Sequence, residues 1–168
     1  AVLGAGSHGL DPGRFHAALL RRRDSLPPEA QELALSAAVL AYADALAHGQ
    51  LAPARRRPAE TLAPEPTPVD EALHRALEGG DAAAAIESLA PALPAYAALR
   101  TALRQAAPAD AARRRTLAVN LERLRWLPRR LPAERVWVNV AEQQLTFFRE
   151  DQAALSCRVV VGAEGERE

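Results

Sequence analysis

The sequence contains no lysine and no methionine, and its 21 arginines are balanced by 21 acidic residues. The resulting net charge of zero excludes a protein whose overall field attracts nucleic acid or an anionic membrane surface. Because alanine is also abundant, the exclusive use of arginine indicates a coding bias rather than a device for binding phosphate. We therefore expect no nucleic-acid partner.

Cysteine and long apolar runs are equally scarce. The single cysteine, Cys157, excludes an internal disulfide framework and leaves the cellular compartment undecided. No run reaches the roughly 18 apolar residues that a membrane span requires, and no stretch has the charged-then-apolar layout of an intact signal peptide. The 168 residues, of which 49% are hydrophobic, fit one domain or a domain and a fragment of another.

Residues suited to catalysis or metal binding form no recognisable group. A cysteine nucleophile needs a nearby histidine and backbone donors for the oxyanion, but Cys157 lies in a strand-like run without histidine. No two histidines stand at i and i+4, and no Cys/His cluster suits zinc. We expect Cys157 to be an ordinary strand residue and this chain to hold no catalytic residue, metal or cofactor. The histidines, expected at the surface or at helix ends, are His8, His16, His48 and His74.

Two short stretches superficially suggest anion binding. The glycine-rich residues 4–9, "GAGSHG", are not preceded by a strand or followed by Gly-Lys-Ser/Thr, so a flexible terminus is the preferred interpretation over a phosphate loop. The arginine run at residues 55–57 is interpreted as a solvated loop rather than a reader of anionic patches, because the overall charge is neutral.

Acidic and aromatic residues also have simpler explanations than function. The best-placed acidic residues, Asp11, Asp70 and Asp81, are predicted to cap helices, which leaves no convincing pair for general acid–base catalysis. Trp126 and Trp137 are suited to stacking on sugar rings. The preferred interpretation is that both are buried as large apolar anchors where the helical part of the chain meets its strands.

Helical patterns fill the first two thirds of the chain. Asp11 and Pro12 predict a helix start, after which Phe15 and Leu19 share a face. A longer helix is predicted over residues 29–48, ended by Gly49, and buried over a broad arc. Its apolar stripe consists of Leu35, Val39, Tyr42 and Leu46, widened by Leu33, Ala37 and Leu40.

Proline and glycine divide the next region into short elements. Residues 51–68 contain five prolines and predict a connecting loop. Helices are then predicted over residues 69–78, with Thr67 and Pro68 at its start, from Asp81 to about residue 89, and from Pro94 through Leu103.

A junction helix is predicted at about residues 110–127. Leu117, Leu121 and Leu124 form one apolar stripe, whereas Arg123 and Arg125 are predicted to point elsewhere. Pro128 and Pro132 end the helix, because proline disfavours helical geometry in the residue before it and lacks the backbone donor.

The hydrophobic period changes to two after residue 132. "RVWVNV" places Val136, Val138 and Val140 on one face, and "QLTFF" and "SCRVVVG" predict two further strands around a polar turn at residues 149–152. Pieces of under about 40 residues rarely bury a sufficient core alone. We therefore predict an α+β chain: a helical domain at residues 1–132, then the first strands of an incomplete, mainly-β domain at residues 133–168.

Several segments together resemble one family. "NLERLRWLP" at residues 120–128, then "RVWVNVAEQQL" and "RVVVG", resemble the entrance to the catalytic domain of L,D-transpeptidases that carry an N-terminal scaffold domain. Upstream, "GLDP", "LAHGQLAP" and "PAYAALRTAL" are similar to that family's helical scaffold. The resemblance spans nearly the whole chain, and "NLERLRWLP" is its most specific part.

The resemblance implies a function for the parent protein. It would be a periplasmic transferase with a YkuD-like catalytic domain, acting in peptidoglycan biosynthesis and cell wall organization by cross-linking stem peptides. The family's catalytic signature, a histidine upstream of Ser-x-Gly-Cys-x-Arg, comes later than this chain reaches, so we expect this fragment to be inactive. A peptidoglycan-binding module often found in the family is missing, since only residues 104–115 separate the flanking segments. The alternative is a non-enzymatic helical module that binds cell-wall peptide or protein; oligomeric state stays open.

Overall fold

The computed structural model describes residues 2–56, 67–78 and 80–162. The chain divides into two compact units, Ala1–Arg129 and Arg130–Glu168. The first is helical and the second contains an antiparallel sheet, which confirms the predicted α+β class. The identity of the second unit as the start of a YkuD-like domain stays a prediction.

The first unit is built from α-helices joined by short 3-10 segments. The 3-10 helices cover Val2–His8, Pro12–Phe15, Arg23–Ser25 and Pro53–Arg55. In the part of the chain that the structure describes, no helix is both long and apolar enough to cross a membrane. The α-helices are α1 (Ala17–Arg21), α2 (Pro28–His48), α3 (Val69–Leu77), α4 (Ala82–Glu87), α5 (Pro94–Gln105) and α6 (Ala111–Leu124).

Local sequence explains several helix ends. The Asp11 carboxylate accepts a hydrogen bond from the Gly13 amide and Asp81 accepts from two amides of α4, as predicted. Gly49 ends α2 with φ 85°, a conformation that side chains with a Cβ rarely adopt.

Two predicted caps of the middle helices are wrong. Pro68, not Thr67, occupies the N-cap of α3 and makes no side-chain bond there. Asp70 lies in the first turn of that helix rather than at its cap, where a negative charge still favours the helix dipole. Asp110, which the sequence reading did not single out, caps α6 by accepting from the Arg113 amide.

The predicted first helix is interrupted at His16. The backbone of this residue has the left-handed conformation, with φ 54°, and it separates the 3-10 helix Pro12–Phe15 from α1. Phe15 and Leu20 are buried, whereas Leu19 is half-buried. The predicted pairing of Phe15 with Leu19 is therefore wrong, because a left-handed residue turns the chain and i, i+4 spacing no longer describes one face.

The buried face of α2 is made largely of alanine. Tyr42 and Leu46 are fully buried as predicted, and Val39 is half-buried, but Leu33 is 73% exposed and Leu35 42% exposed. Small side chains let the short N-terminal segments approach the helix closely, so the large leucines are left facing outward. The predicted broad arc is wrong at Leu33, Leu35, Ala37 and Leu40, and the buried alanines are Ala34, Ala38, Ala43, Ala45 and Ala47.

Arginine side chains close the carboxyl ends of helices. The last carbonyls of a helix lack partners within it, and the planar guanidinium presents several donors that can serve two carbonyls at once. The exclusive use of arginine thus has a structural role in this chain. The arginines concerned are Arg56 and Arg129 at the end of α2 and Arg114 at the end of α5.

The arginine run at residues 55–57 is only partly a solvated loop. Arg56 is 8% exposed, donates to the carbonyls of His48 and Leu51, and lies 4.7 Å from the centre of the Trp126 ring. The prediction of a solvated run is therefore wrong for this residue. Residues 57–66, most of the predicted proline-rich loop, lie outside the described residues.

The second unit contains three antiparallel strands in the order β1 (Arg135–Asn139), β2 (Gln144–Arg149) and β3 (Gln152–Arg158). The two-residue turn between β2 and β3 has positive φ at Glu150 and Asp151, the geometry of tight hairpins. This turn confirms the predicted one, but β3 begins at Gln152 rather than at Ser156, because the tight hairpin pairs Gln152 directly with Arg149.

One face of this sheet is apolar and the other is polar. The register aligns Val136, Phe147 and Leu155 across the strands, and Val138, Leu145 and Cys157 beside them. Directly opposed residues share a face, and Val136, Val138 and Leu155 are 60%, 44% and 59% exposed.

The polar face of the sheet carries hydrogen bonds among its side chains. The Ser156 hydroxyl lies 2.9 Å from Gln144 Nε2 and 3.2 Å from Thr146 Oγ1. Trp137 pairs with Thr146 on this face and is 38% exposed. The prediction of a buried anchor is wrong for Trp137, because strand alternation directs it away from the apolar face, whereas Trp126 is 6% exposed as predicted.

Candidate functional site

The cysteine and the histidines, the residue types best suited to catalysis, belong to different units of the chain. Cys157 is an exposed strand residue of the second unit, whereas all four histidines lie in the first. Within the described ranges, no group of three or more histidine, cysteine, aspartate or glutamate side chains is arranged to hold a metal ion.

A polar network is buried at the centre of the first unit. His8 is fully buried and is the last residue of the 3-10 helix Val2–His8. Of the two predicted locations, the surface or a helix end, it has the second. Its Nδ1 is 2.8 Å from the Tyr96 hydroxyl, and its Nε2 is 2.9 Å from a Glu87 carboxylate oxygen. Tyr42 and Arg100 also donate to Glu87, at 3.2 and 3.0 Å. Four segments of the chain are thus joined through His8 and Glu87.

The network assigns the protons of the His8 ring. The Arg125 guanidinium donates to the Tyr96 oxygen at 2.8 Å, so the tyrosine proton is free to point toward His8 Nδ1. His8 Nε2 then carries the ring proton and donates it to Glu87. Each member thus donates to the next, from Arg125 through Tyr96 and His8 to the half-buried Glu87. The Nε atoms of Arg125 and Arg100 are buried and have no hydrogen-bond partner among the described residues.

Arg125 is the largest fully buried side chain in the described residues. It donates to the His8 carbonyl at 2.5 Å, to Tyr96, and to the Glu122 carboxylate at 3.0 Å. The prediction that this arginine points away from the apolar face of α6 is wrong. The carbonyl lies at the end of the 3-10 helix Val2–His8, where a cation is favoured by unpaired carbonyls and by the helix dipole.

Glu122 forms the second attachment of α6. One carboxylate oxygen accepts from the backbone amides of Gln50 and Leu51, at 2.7 and 3.0 Å, and from Trp126 Nε1 at 3.2 Å. These amides follow Gly49, so the carboxylate holds the end of α2 against α6. The apolar stripe of α6 packs beside these bonds as predicted, with Leu121 buried and Leu117 and Leu124 half-buried.

Burial controls the protonation of the network. It lowers the pKa of His8 from 6.5 to about 4, against the opposing attraction of the Glu87 carboxylate. Burial also raises the pKa of Glu87, but the neighbouring His8, Arg100 and Tyr42 outweigh this effect and hold it below 4.5. The pKa of Tyr42 is raised by burial and by Glu87. At neutral pH the network therefore contains neutral His8 and ionised Glu87.

This protonation pattern predicts acid sensitivity. A histidine whose pKa is lower in the folded state gives full stability above the unfolded pKa of 6.5, which is lost as the unfolded chain takes up a proton. We expect the free energy of unfolding to fall by about 2 kcal/mol between about pH 7 and about pH 4.5. Urea denaturation across this range measures it, and the loss from Glu87 comes at lower pH because its pKa is lowered.

Two substitutions make the pH experiment specific. His8→Gln is expected to remove most of the slope although it lowers stability at every pH. His74→Gln, at an exposed position of α3, is expected to leave the slope unchanged. A wild-type stability that is constant over this range, or a slope that persists in His8→Gln, would contradict the assignment to His8.

A cleft of about 350 Å³ lies on the surface beside the attachment of α6. Arg14 and Arg115 line it, together with Gln50, Val119 and Glu122. The Gln50 Nε2 atom is buried and makes no hydrogen bond within the described residues. This cleft combines an apolar wall with exposed cationic groups, a combination suited to binding another molecule.

Taken together, the first unit is a helical module whose buried polar groups fix its own segments and hold α6. The chain belongs to the Scaffold domain family, whose model matches residues 1–103. This family provides the N-terminal scaffold of L,D-transpeptidases. No curated protein and no solved structure matched the chain.

Proposed function

We propose that this chain is the scaffold, with the first strands of the catalytic domain, of a peptidoglycan L,D-transpeptidase of the periplasm. The observation that carries the proposal is the match to the scaffold family over residues 1–103, followed in the chain by the motif "NLERLRWLP". The motif is the last helix before a sheet, which is the order of parts in the family that the sequence resembles.

The attachment of α6 supports a scaffold role. Arg125 and Glu122 bond this helix to His8, Tyr96 and the amides after Gly49, all of which lie inside the matched region. A scaffold must hold the segment that precedes a catalytic domain in one position, and buried charged bonds of this kind permit little movement. The residues of "NLERLRWLP" therefore have a positional role rather than a chemical one.

The apolar face of the sheet supports membership of a larger β-structure. A three-stranded sheet gains stability when its apolar face packs on another layer. Val136, Val138 and Leu155 expose that face here. A second layer from a catalytic β-domain would cover it.

The reaction itself would require an activated cysteine nucleophile. In the transpeptidases that the chain resembles, a cysteine attacks the donor stem peptide, releases its terminal D-amino acid, and passes the acyl group to an acceptor amine. Cys157 has no histidine in its own unit to act as base. The role of this chain in the reaction is thus to support the catalytic domain.

We expect the purified 168-residue chain to release no D-alanine from a tetrapeptide-bearing muropeptide. The reason is the absence of an activated thiolate, which this acyl transfer requires. Chromatography of the muropeptide products measures release, with Cys157→Ser as the matched control. Release that is abolished by thiol alkylation or by this substitution would overturn the expectation.

The encoding reading frame tests the wider proposal. A histidine followed by Ser-x-Gly-Cys-x-Arg beyond residue 168 would support the transpeptidase. A stop codon directly after residue 168 would favour the second candidate, a non-enzymatic module that binds cell-wall peptide or protein. The cleft with its exposed arginines is the observation that favours this second candidate.

A further inference from the structure

The cleft beside α6 carries two cationic groups with no acidic partner. Among the described residues, neither Arg14 nor Arg115 makes an ion pair or a side-chain hydrogen bond, and both are exposed. Most other arginines around the first unit's core serve carbonyls or carboxylates, as Arg56, Arg114 and Arg125 do. Two unpaired guanidinium groups at one concave surface are suited to binding carboxylates.

The acidic residue in the cleft does not cancel this positive charge. Glu122 already accepts from two backbone amides and from Trp126 Nε1 through one oxygen, and it pairs with Arg125 through the other. Its negative charge is therefore compensated inside the protein. An incoming anion would meet the field of Arg14 and Arg115.

The remaining surface of the cleft favours a peptide over an inorganic anion. Leu51, Ala118 and Val119 supply an apolar wall, and Gly9 packs so closely on α6 that an added Cβ would lie 2.8 Å from the Ala118 Cα. The unbonded Nε2 of Gln50 offers a donor to a peptide carbonyl. A small aliphatic side chain next to a residue with two carboxylates would match the apolar wall and the two arginines.

We propose that this cleft binds a short acidic peptide with small aliphatic side chains, using Arg14 and Arg115 for its carboxylates. Peptidoglycan stem peptides, which contain alanine and free carboxylates, belong to this class. The cleft would be the binding site of the non-enzymatic module, and in the transpeptidase it would be a stem-peptide site on the scaffold. It concerns the first unit alone, so it does not depend on whether the parent protein is a transpeptidase.

The test uses the whole chain, with N-acetyl-L-alanyl-D-glutamate as the probe and its neutral diamide as the matched control. Titration followed by amide NMR is expected to shift the signals of Gln50, Leu51 and Val119 with the dicarboxylate, and much less with the diamide. Raising the salt concentration is expected to weaken binding, because the arginines are exposed and screened.

Charge-matched variants identify the groups that bind. Replacing both Arg14 and Arg115 by glutamine is expected to raise the dissociation constant about tenfold, the combined effect of two exposed charge pairs. The control replaces Arg21 and Arg113 by glutamine, because both are exposed and lie outside the cleft. We expect the dissociation constant of this control to stay within about twofold of the wild-type value.

Three outcomes would overturn the proposal. These are equal binding of the diamide, equal weakening by the control pair, and inorganic phosphate shifting the same amides as strongly as the dipeptide. None of them is affected by D-alanine release, so failure of the cleft and failure of the transpeptidase proposal are distinguishable.

Discussion

Replacing Arg125 by methionine is expected to lower the free energy of unfolding by about 3–5 kcal/mol, the range for breaking a buried charged pair by removing one partner. Methionine keeps much of the side-chain length but has no donor. Glu122 would lose its charged partner, and the His8 carbonyl and the Tyr96 hydroxyl would each lose a donor. Urea denaturation of the whole chain, followed by the circular dichroism of its helices, measures the loss.

The control for this experiment is Arg113→Met in the first turn of α6. That side chain is exposed, so we expect a change within about 0.5 kcal/mol, as for other surface substitutions. A buried lysine would restore charge but not the fork of donors, so Arg125→Lys is expected to recover only part of the stability. If Arg125→Met unfolds at the same urea concentration as wild type, Arg125 does not hold α6.

The sequence predicted most helix boundaries because caps are local. Asp81 and Gly49 each act on residues within one turn of themselves, and the structure has them in those roles. The alternating valines of β1 likewise predicted a strand face, because strand alternation depends only on neighbouring residues. Short-range sequence patterns were therefore sufficient to predict most of the α-helices, the three strands and the α+β class.

The central network could not be predicted, because its bonds join distant parts of the chain. Arg125 and the His8 carbonyl are 117 residues apart, and His8 and Glu87 are 79 apart. An arginine in the last turn of an amphipathic helix ordinarily faces solvent, and a histidine among glycines near a terminus ordinarily has no fixed place. Nothing in either local sequence signals that each residue is the other's partner.

The exposed leucines of α2 show a second limit of periodicity. Leu35 and Leu40 fit the spacing of a buried stripe as well as Tyr42 and Leu46 do, yet only the latter two are buried. Which side of a helix is covered depends on the size of the elements that pack on it. Here the neighbours of α2 are three short 3-10 segments together with α1, α3 and α4, and the buried residues of α2 that they cover are mainly alanine.

Gly49→Ala is expected to be the second most damaging substitution, lowering the free energy of unfolding by about 3 kcal/mol. Gly49 has φ 85° and ψ 172°, a conformation almost restricted to glycine that costs other residues about 1–3 kcal/mol. An added Cβ would also lie 2.9 Å from Trp126 Nε1 and overlap the Glu122 carboxylate. The carboxylate would have to move away from the amides of Gln50 and Leu51, which would then lose their acceptor.

Gly4→Ala is the matched control for this second effect, because no atom lies within 4 Å of a Cβ built at that position and its φ is not positive. We expect it to be neutral or to stabilise by up to about 1 kcal/mol through the unfolded state. Combining Gly49→Ala with Glu122→Gln should then cost less than the sum of the two single substitutions, because both disrupt the same carboxylate. Strictly additive losses in urea denaturation would mean that backbone strain alone, and not the bond between α2 and α6, makes Gly49 necessary.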